Sequence, residues 1–131
     1  MKYIVGPILA FLVMPLVPLR SQSERSVWDA VYTEGQAARG EEAFKASCSS
    51  CHNIQEFTGD ALLGAWEAST VFDLFAKLQS TMPMDSPGML HPQQYVDVIA
   101  YLFRANEFPA GKTEMGTEKT ELNLIRITRQ K

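Results

Sequence analysis

The sequence predicts an all-α domain of three main helices, and three observations carry that expectation. Apolar residues recur at i, i+3, i+4 and i+7 over Val71, Leu74, Phe75 and Leu78, and a second stripe runs through Tyr95, Val98, Ile99, Leu102 and Phe103. This is the period of a helix that buries one face. A third stretch, from Thr33 or Glu34 to the residues before Cys48, offers Ala37, Gly40, Ala43, Phe44 and Ala46 for packing. Nothing alternates with period two over a useful length, so no sheet is expected.

The elements follow in chain order. Met1-Lys2-Tyr3 carries one positive charge, residues 4–19 carry none, and Arg20 precedes Ser21-Gln22-Ser23. A charged start, an apolar run and a small-x-small site read as a signal peptide over residues 1–23, cut after Ser23. The alternative is an uncleaved membrane anchor. Against it, the run falls short of the ~20 residues of a spanning helix, and Pro7, Pro15 and Pro18 interrupt it. No cysteine follows the run, which excludes a lipid anchor on one. The body of the protein is therefore expected to be periplasmic or otherwise exported.

The 131 residues hold twelve basic and fifteen acidic side chains. Loss of residues 1–23 takes Lys2 and Arg20 and no acid, leaving ten against fifteen, a net charge of −5. Nucleic acid is excluded as a partner, because its binding surfaces are basic. The 108 residues that remain after residue 23 suffice for one domain, expected over residues 24–111.

Val27-Trp28-Asp29-Ala30-Val31-Tyr32 reads as a packed extended lead-in. In the first helix Gly40 costs ~1 kcal/mol relative to alanine, so it implies the close approach of another helix, unless the helix breaks there. Thr70 and Asp73 form a T-x-x-D capping box for the second helix, which Pro83 ends. The third opens at His91-Pro92, with proline at its favoured first position, and stops at Asn106 and Phe108-Pro109-Ala110-Gly111. Residues 112–131 read as an extended arm that wraps the domain on Leu122, Leu124, Ile125 and Ile127. Disorder is the alternative for its polar part.

Both cysteines of the chain fall in one segment, Cys48-Ser49-Ser50-Cys51-His52. C-x-x-C-H is the pattern of covalent haem attachment through two thioethers, with the histidine on the iron. Cysteines three apart lie on one side of a helical turn, so both sulfurs reach the vinyl groups on one porphyrin edge. Three plainer readings compete. A redox dithiol expects a βαβ pattern. A disulfide leaves His52 without a role. A zinc site from Cys48, Cys51, His52 and His91 needs adjacent residues to share one small tetrahedral ion. One covalent haem c per chain is the expectation, held by Cys48 and Cys51 with His52 on the iron.

For the other iron face, Met82, Met84 and Met89 cluster in a loop rich in proline and glycine. A thioether is a soft ligand that favours reduced iron. Met82 is the first candidate, because Pro83 stops the helix and stiffens the loop presenting the sulfur. Met84 is its rival, Met89 is weaker, and His91 would give bis-histidine ligation. Methionines also fill core gaps, the role left to at least two of the three.

With Gly40, Phe44, Cys48, Cys51 and His52 in the pattern G-x-x-x-F-x-x-x-C-x-x-C-H, the chain resembles the class I cytochromes c. The resemblance implies a class I cytochrome c-like fold, three main helices around one covalent haem, in which Gly40 and Phe44 meet Tyr101 and Leu102 of the last helix. It implies His/Met ligation with Met82 as the metal-bound sulfur. Leu62 and Leu63 are expected on the haem face, and Trp66 resembles the family's tryptophan near the propionates. More narrowly, Val27 to Thr33, Trp66, Met82-Pro83, Pro87 to Leu90 and Phe108 to Glu114 are similar to small exported bacterial cytochromes associated with pyrroloquinoline-quinone-dependent dehydrogenases. One feature departs from the family: no proline lies between His52 and Pro83. The group that accepts the hydrogen bond of the histidine's outer N–H is therefore unassigned.

The expected function is a one-electron carrier, not an enzyme, since two protein ligands leave no open iron position. Its redox partners are expected to be a dehydrogenase as donor and an oxidase or another cytochrome as acceptor, with a membrane only if residues 1–23 stay attached. A five-coordinate haem that binds a gas, and a subunit held tightly to a dehydrogenase, are the alternatives.

Overall fold

A computed structural model describes residues 23–130. Residues 1–22 of the expected signal peptide lie outside the described residues. In chain order the elements are β1 (Arg25–Ser26), α1 (Glu34–Ser47), a 3-10 turn (Ile54–Phe57), α2 (Asp60–Trp66), α3 (Val71–Thr81), α4 (Pro92–Ala105), α5 (Lys119–Leu122) and β2 (Ile125–Arg126). The all-α class holds, and α1, α3 and α4 are the three main helices. No strand was expected, yet β1 and β2 pair in parallel, with Arg25 opposite Ile125 and Ser26 opposite Arg126. Two residues are too few for alternation to register in a sequence. None of the described helices is long and apolar enough to cross a membrane.

Side chains start each main helix by satisfying amides that the first turn leaves without partners. Thr33 Oγ1 accepts from the Gln36 amide at 3.0 Å ahead of α1. Thr70 Oγ1 accepts from the Asp73 amide at 3.1 Å, and Asp73 Oδ2 accepts from the Thr70 amide at 2.8 Å. This closes the expected capping box of α3. His91 caps α4, its Nδ1 accepting from the Gln93 amide at 3.3 Å.

α1 and α4 form the scaffold. A Cβ on Gly40 would lie 1.8 Å from the Asp97 carbonyl oxygen, so only glycine permits this backbone approach, and α1 runs through it unbroken. Phe44 meets Tyr101 edge-on, with ring centroids 5.5 Å apart. Ala37 of α1 and Val96, Ile99, Ala100 and Phe103 of α4 share the core. Val71, Leu74 and Phe75 of α3 join it, Phe75 setting its ring against Tyr95 at 6.2 Å.

The stretch after Gly111 closes over the scaffold and carries a helical turn, α5, where a wholly extended arm was expected. Met115, Leu122, Ile125 and Ile127 are buried in the same core. Gln36 is fully buried, and its amide pairs twice with the Met115 backbone, at 2.9 and 3.0 Å. Arg39 spans from Asp97 at 3.0 Å to Glu114 at 2.8 Å. Its guanidinium holds the Glu114 carboxyl below the usual carboxylate range. The lead-in is tied down as well. Tyr32 Oη donates to the Phe108 carbonyl at 2.7 Å and Trp28 Nε1 to that of Thr128 at 2.8 Å.

Candidate functional site

α1 ends at Ser47, and the backbone makes one more turn. The Cys48 amide donates to the Phe44 carbonyl at 2.8 Å, and the Cys48 carbonyl accepts from Cys51 at 3.1 Å and His52 at 3.0 Å. This turn brings Cys48, Cys51 and His52 to the wall of one cavity of about 490 Å³. Cys48, half-buried, and Cys51, exposed, are not paired with each other in a disulfide. Burial pushes the Cys48 thiol up. Among the described residues no group of three or more His, Cys, Asp or Glu is placed to hold a metal ion. Cys48, Cys51, His52 and His91 are thus not gathered as the zinc reading requires, and His91, exposed, caps α4.

The end of α3 lines the same cavity. Met82 is its last cap, with its amide donating to the Leu78 carbonyl at 2.8 Å. Its carbonyl accepts from Tyr95 Oη at 2.7 Å, so α4 fixes where α3 stops. Met82 is half-buried and lines the cavity; Met84 lines it too but is 74% exposed. Met89 is 72% exposed and stands off the wall. Phe44, Leu62, Leu74, Leu78, Val98 and Leu102 supply apolar lining, and Trp66 joins them half-buried. Leu63, expected beside Leu62, packs against the core and does not reach the cavity. On a seven-residue helix, adjacent positions point about 100° apart, so only one of the two can face inward.

The 3-10 turn and α2 occupy a stretch that the residue pattern leaves undescribed, and they hold a residue that motif reading passes over. Asn53 Oδ1 accepts from the Gln55 amide at 3.2 Å, while Glu56 Oε1 accepts from the Asn53 amide at 3.0 Å. The other carboxylate oxygen of Glu56, Oε2, lies 3.1 Å from His52 Nδ1. The Asn53 amide first, and then the His52 ring, hold the Glu56 carboxyl below its usual range. The signal was in the sequence as N-x-x-E, a capping pattern that also puts Glu56 four residues after His52. Phe57 sets its ring edge-on to His52 at 5.4 Å. Asn106, at the end of α4, holds this loop. Its Nδ2 donates to the Phe57 carbonyl at 2.8 Å, and its Oδ1 accepts from the Gly59 amide at 2.8 Å.

Two thiols and an imidazole thus rise from one turn, a thioether faces the same space, and the wall between is apolar. The volume lies within the ~300–1,000 Å³ of sites that enclose a small organic molecule. This donor set fits a haem attached through Cys48 and Cys51.

Residues 35–102, just over half of the chain, match the family model described as cytochrome C oxidase, cbb3-type, subunit III. The matched span runs from the start of α1 through Leu102 and contains the whole cavity wall. Among curated proteins the chain is similar to a cytochrome c of Guizotia abyssinica, 26% identical over 98 residues, covering 52% of this chain and 88% of that protein. No solved structure matches it.

Proposed function

This chain belongs to the family of cytochrome C oxidase, cbb3-type, subunit III, and from that premise we propose an exported one-electron carrier whose covalent haem c is held by Cys48, Cys51, His52 and Met82. The coarse function, electron transfer through haem, comes with the family and the cytochrome c relative. The finer reading rests on one observation: these four side chains line a single apolar cavity. Haem, when bound, supplies an iron that changes by one electron. Everything else is the work of the chain.

Cys48 and Cys51 fasten the group at one edge through thioethers. His52 would hold the iron through Nε2, the nitrogen its Nδ1 contact leaves available. Met82 would supply the sulfur ligand, and it is preferred to Met84 because the Leu78 and Tyr95 hydrogen bonds hold its backbone. The apolar lining excludes water and keeps the charged iron in a low dielectric, which with the soft sulfur favours the reduced state. With His52 and Met82 both holding the iron, the chain would carry electrons and would not be an enzyme in its own right.

Residues 1–23 are the signal that places the protein in the periplasm. Residues 24–111 form the cytochrome domain, and residues 112–131 its arm. The donor is a dehydrogenase of the pyrroloquinoline-quinone-dependent kind, a reading supported by the resemblance of the lead-in, Trp66 and Phe108 to Glu114. The acceptor is an oxidase or another cytochrome, and the family's description as an oxidase subunit supports the former.

The test is a visible spectrum of the exported protein in both redox states. The oxidised form should show the weak band near the red end that marks iron–sulfur ligation. Met82→Leu should lose that band and lower the midpoint potential while the haem stays attached, and Met84→Leu should keep it. The reverse pattern would make Met84 the ligand. If neither variant matters, His91 or an open distal site takes the place of Met82, and the gas-binding reading moves ahead.

A further inference from the structure

We propose that Glu56 is the positioning residue of the haem's proximal histidine, taking the place that a proline carbonyl fills in related proteins and lowering the reduction potential through His52. The proposal rests on the reading of His52 as iron ligand and adds a partner to it.

The geometry is specific. With Nε2 committed to iron, the one proton left on a neutral imidazole sits on Nδ1. A carboxylate can only accept, so the 3.1 Å contact is an N–H donation from His52 to Glu56 Oε2. Glu56 is not free to swing away, because its second oxygen accepts from the Asn53 amide at 3.0 Å. Each oxygen therefore has one donor. The loop that carries them is held to α4 by Asn106, and the Phe57 edge limits rotation of the imidazole from another side.

The consequence follows from charge. A carboxylate drawing on the Nδ1 proton makes the imidazole a stronger electron donor than a carbonyl does. A stronger donor stabilises Fe(III) over Fe(II), so the potential falls. This acts against the methionine sulfur on the other face, and the balance between the two sets the working potential. The glutamate side chain is 53% exposed, so water shares the carboxylate and moderates the effect.

Glu56→Gln tests the idea, because glutamine offers one acceptor to two N–H donors. In the holoprotein its midpoint potential should rise enough to shift the equilibrium with a fixed one-electron partner about tenfold toward reduced haem, about 59 mV. The shift should persist at high salt. Asp85→Asn, a neutralised carboxylate on the same cavity wall, should give a smaller shift that salt removes. An unchanged potential in Glu56→Gln, or one that salt abolishes as in Asp85→Asn, overturns the proposal.

If Glu56→Gln does not mature, proton NMR of the wild-type protein decides. The His52 Nδ1 proton should be seen in water at neutral pH, and its loss to rapid exchange overturns the proposal. Failure of the underlying reading looks different, since His52→Ala would then leave the spectrum unchanged.

Discussion

Along α4, one side touches α1 so closely that a methyl group on Gly40 has no room, while Val98 and Leu102 look into about 490 Å³ of cavity. The first region is packed by the chain alone: backbone against backbone, the buried Gln36 pairing with Met115, Arg39 joining Asp97 and Glu114. The second is walled by side chains such as Leu62 and Leu74, which join the core on one side and border the cavity on the other. Protein interiors leave few voids larger than a water molecule, so a cavity of this size with an apolar wall identifies the place where the chain leaves its packing to another molecule.

Breaking the cavity side at its fastening should have the largest effect. Wild-type protein denatured in acid and acetone should keep one haem per chain, because thioethers outlast the fold. Cys48→Ser with Cys51→Ser should release all of it and leave the cavity wall without its filling. Haem that extracts freely from the wild type would sink the assignment.

Gly40→Ala strikes the scaffold side. A Cβ 1.8 Å from the Asp97 carbonyl forces the two helices apart, and overpacking of this kind costs about 1–3 kcal/mol or more. The loss should appear in thermal unfolding with haem attached, since the strained contact lies away from the cofactor. A melting temperature equal to wild type would show that α1 and α4 are not in contact at this point.

A smaller change is expected at the start of α3. Thr70→Ala removes the cap that accepts from the Asp73 amide and should cost about 1 kcal/mol. Thr70→Ser, which keeps the hydroxyl, should recover most of it in a denaturant titration.

The smallest effect concerns acid. The folded Glu114 carboxyl is held down by Arg39, so its contribution is fully present above the unfolded value. It is lost as the pH falls through the lower folded value, on the acid side of the usual carboxylate range. Both partners are about half exposed, which limits the pair to under about 1 kcal/mol. Glu114→Gln should flatten that acid limb slightly in melting curves taken across pH and leave the neutral value within about 1 kcal/mol.

The scaffold was legible in the sequence for a physical reason. Its helices are amphipathic and begin with side-chain caps, and both signals are local. Thr70 with Asp73, His91 with Pro92, and Gly40 for close approach could each be read from neighbours within a few residues. The haem motif was legible for the same reason, its chemistry lying in five consecutive positions. What could not be read depends on distance. β1 finds β2 across a hundred residues, and two-residue strands carry no period. α2 and the 3-10 turn are too short for a stripe to form, so Leu62 and Leu63 could not be told apart. Glu56 was hidden differently: it stands within reach of His52 in sequence, but its capping pattern suggests a helix start and nothing more.

The parallel pairing of β1 with β2, supported by the bond from Trp28 to Thr128, bears on the order of assembly. A chain made from its N-terminus produces Arg25 and Trp28 a hundred residues before Ile125 and Thr128, their partners. This pairing cannot close until residues 125–128 exist, and contacts of such separation form slowly. Cys48, Cys51 and His52 emerge long before that closure. The attachment site is thus synthesised while the strap that joins residues 25–28 to residues 125–128 is still open.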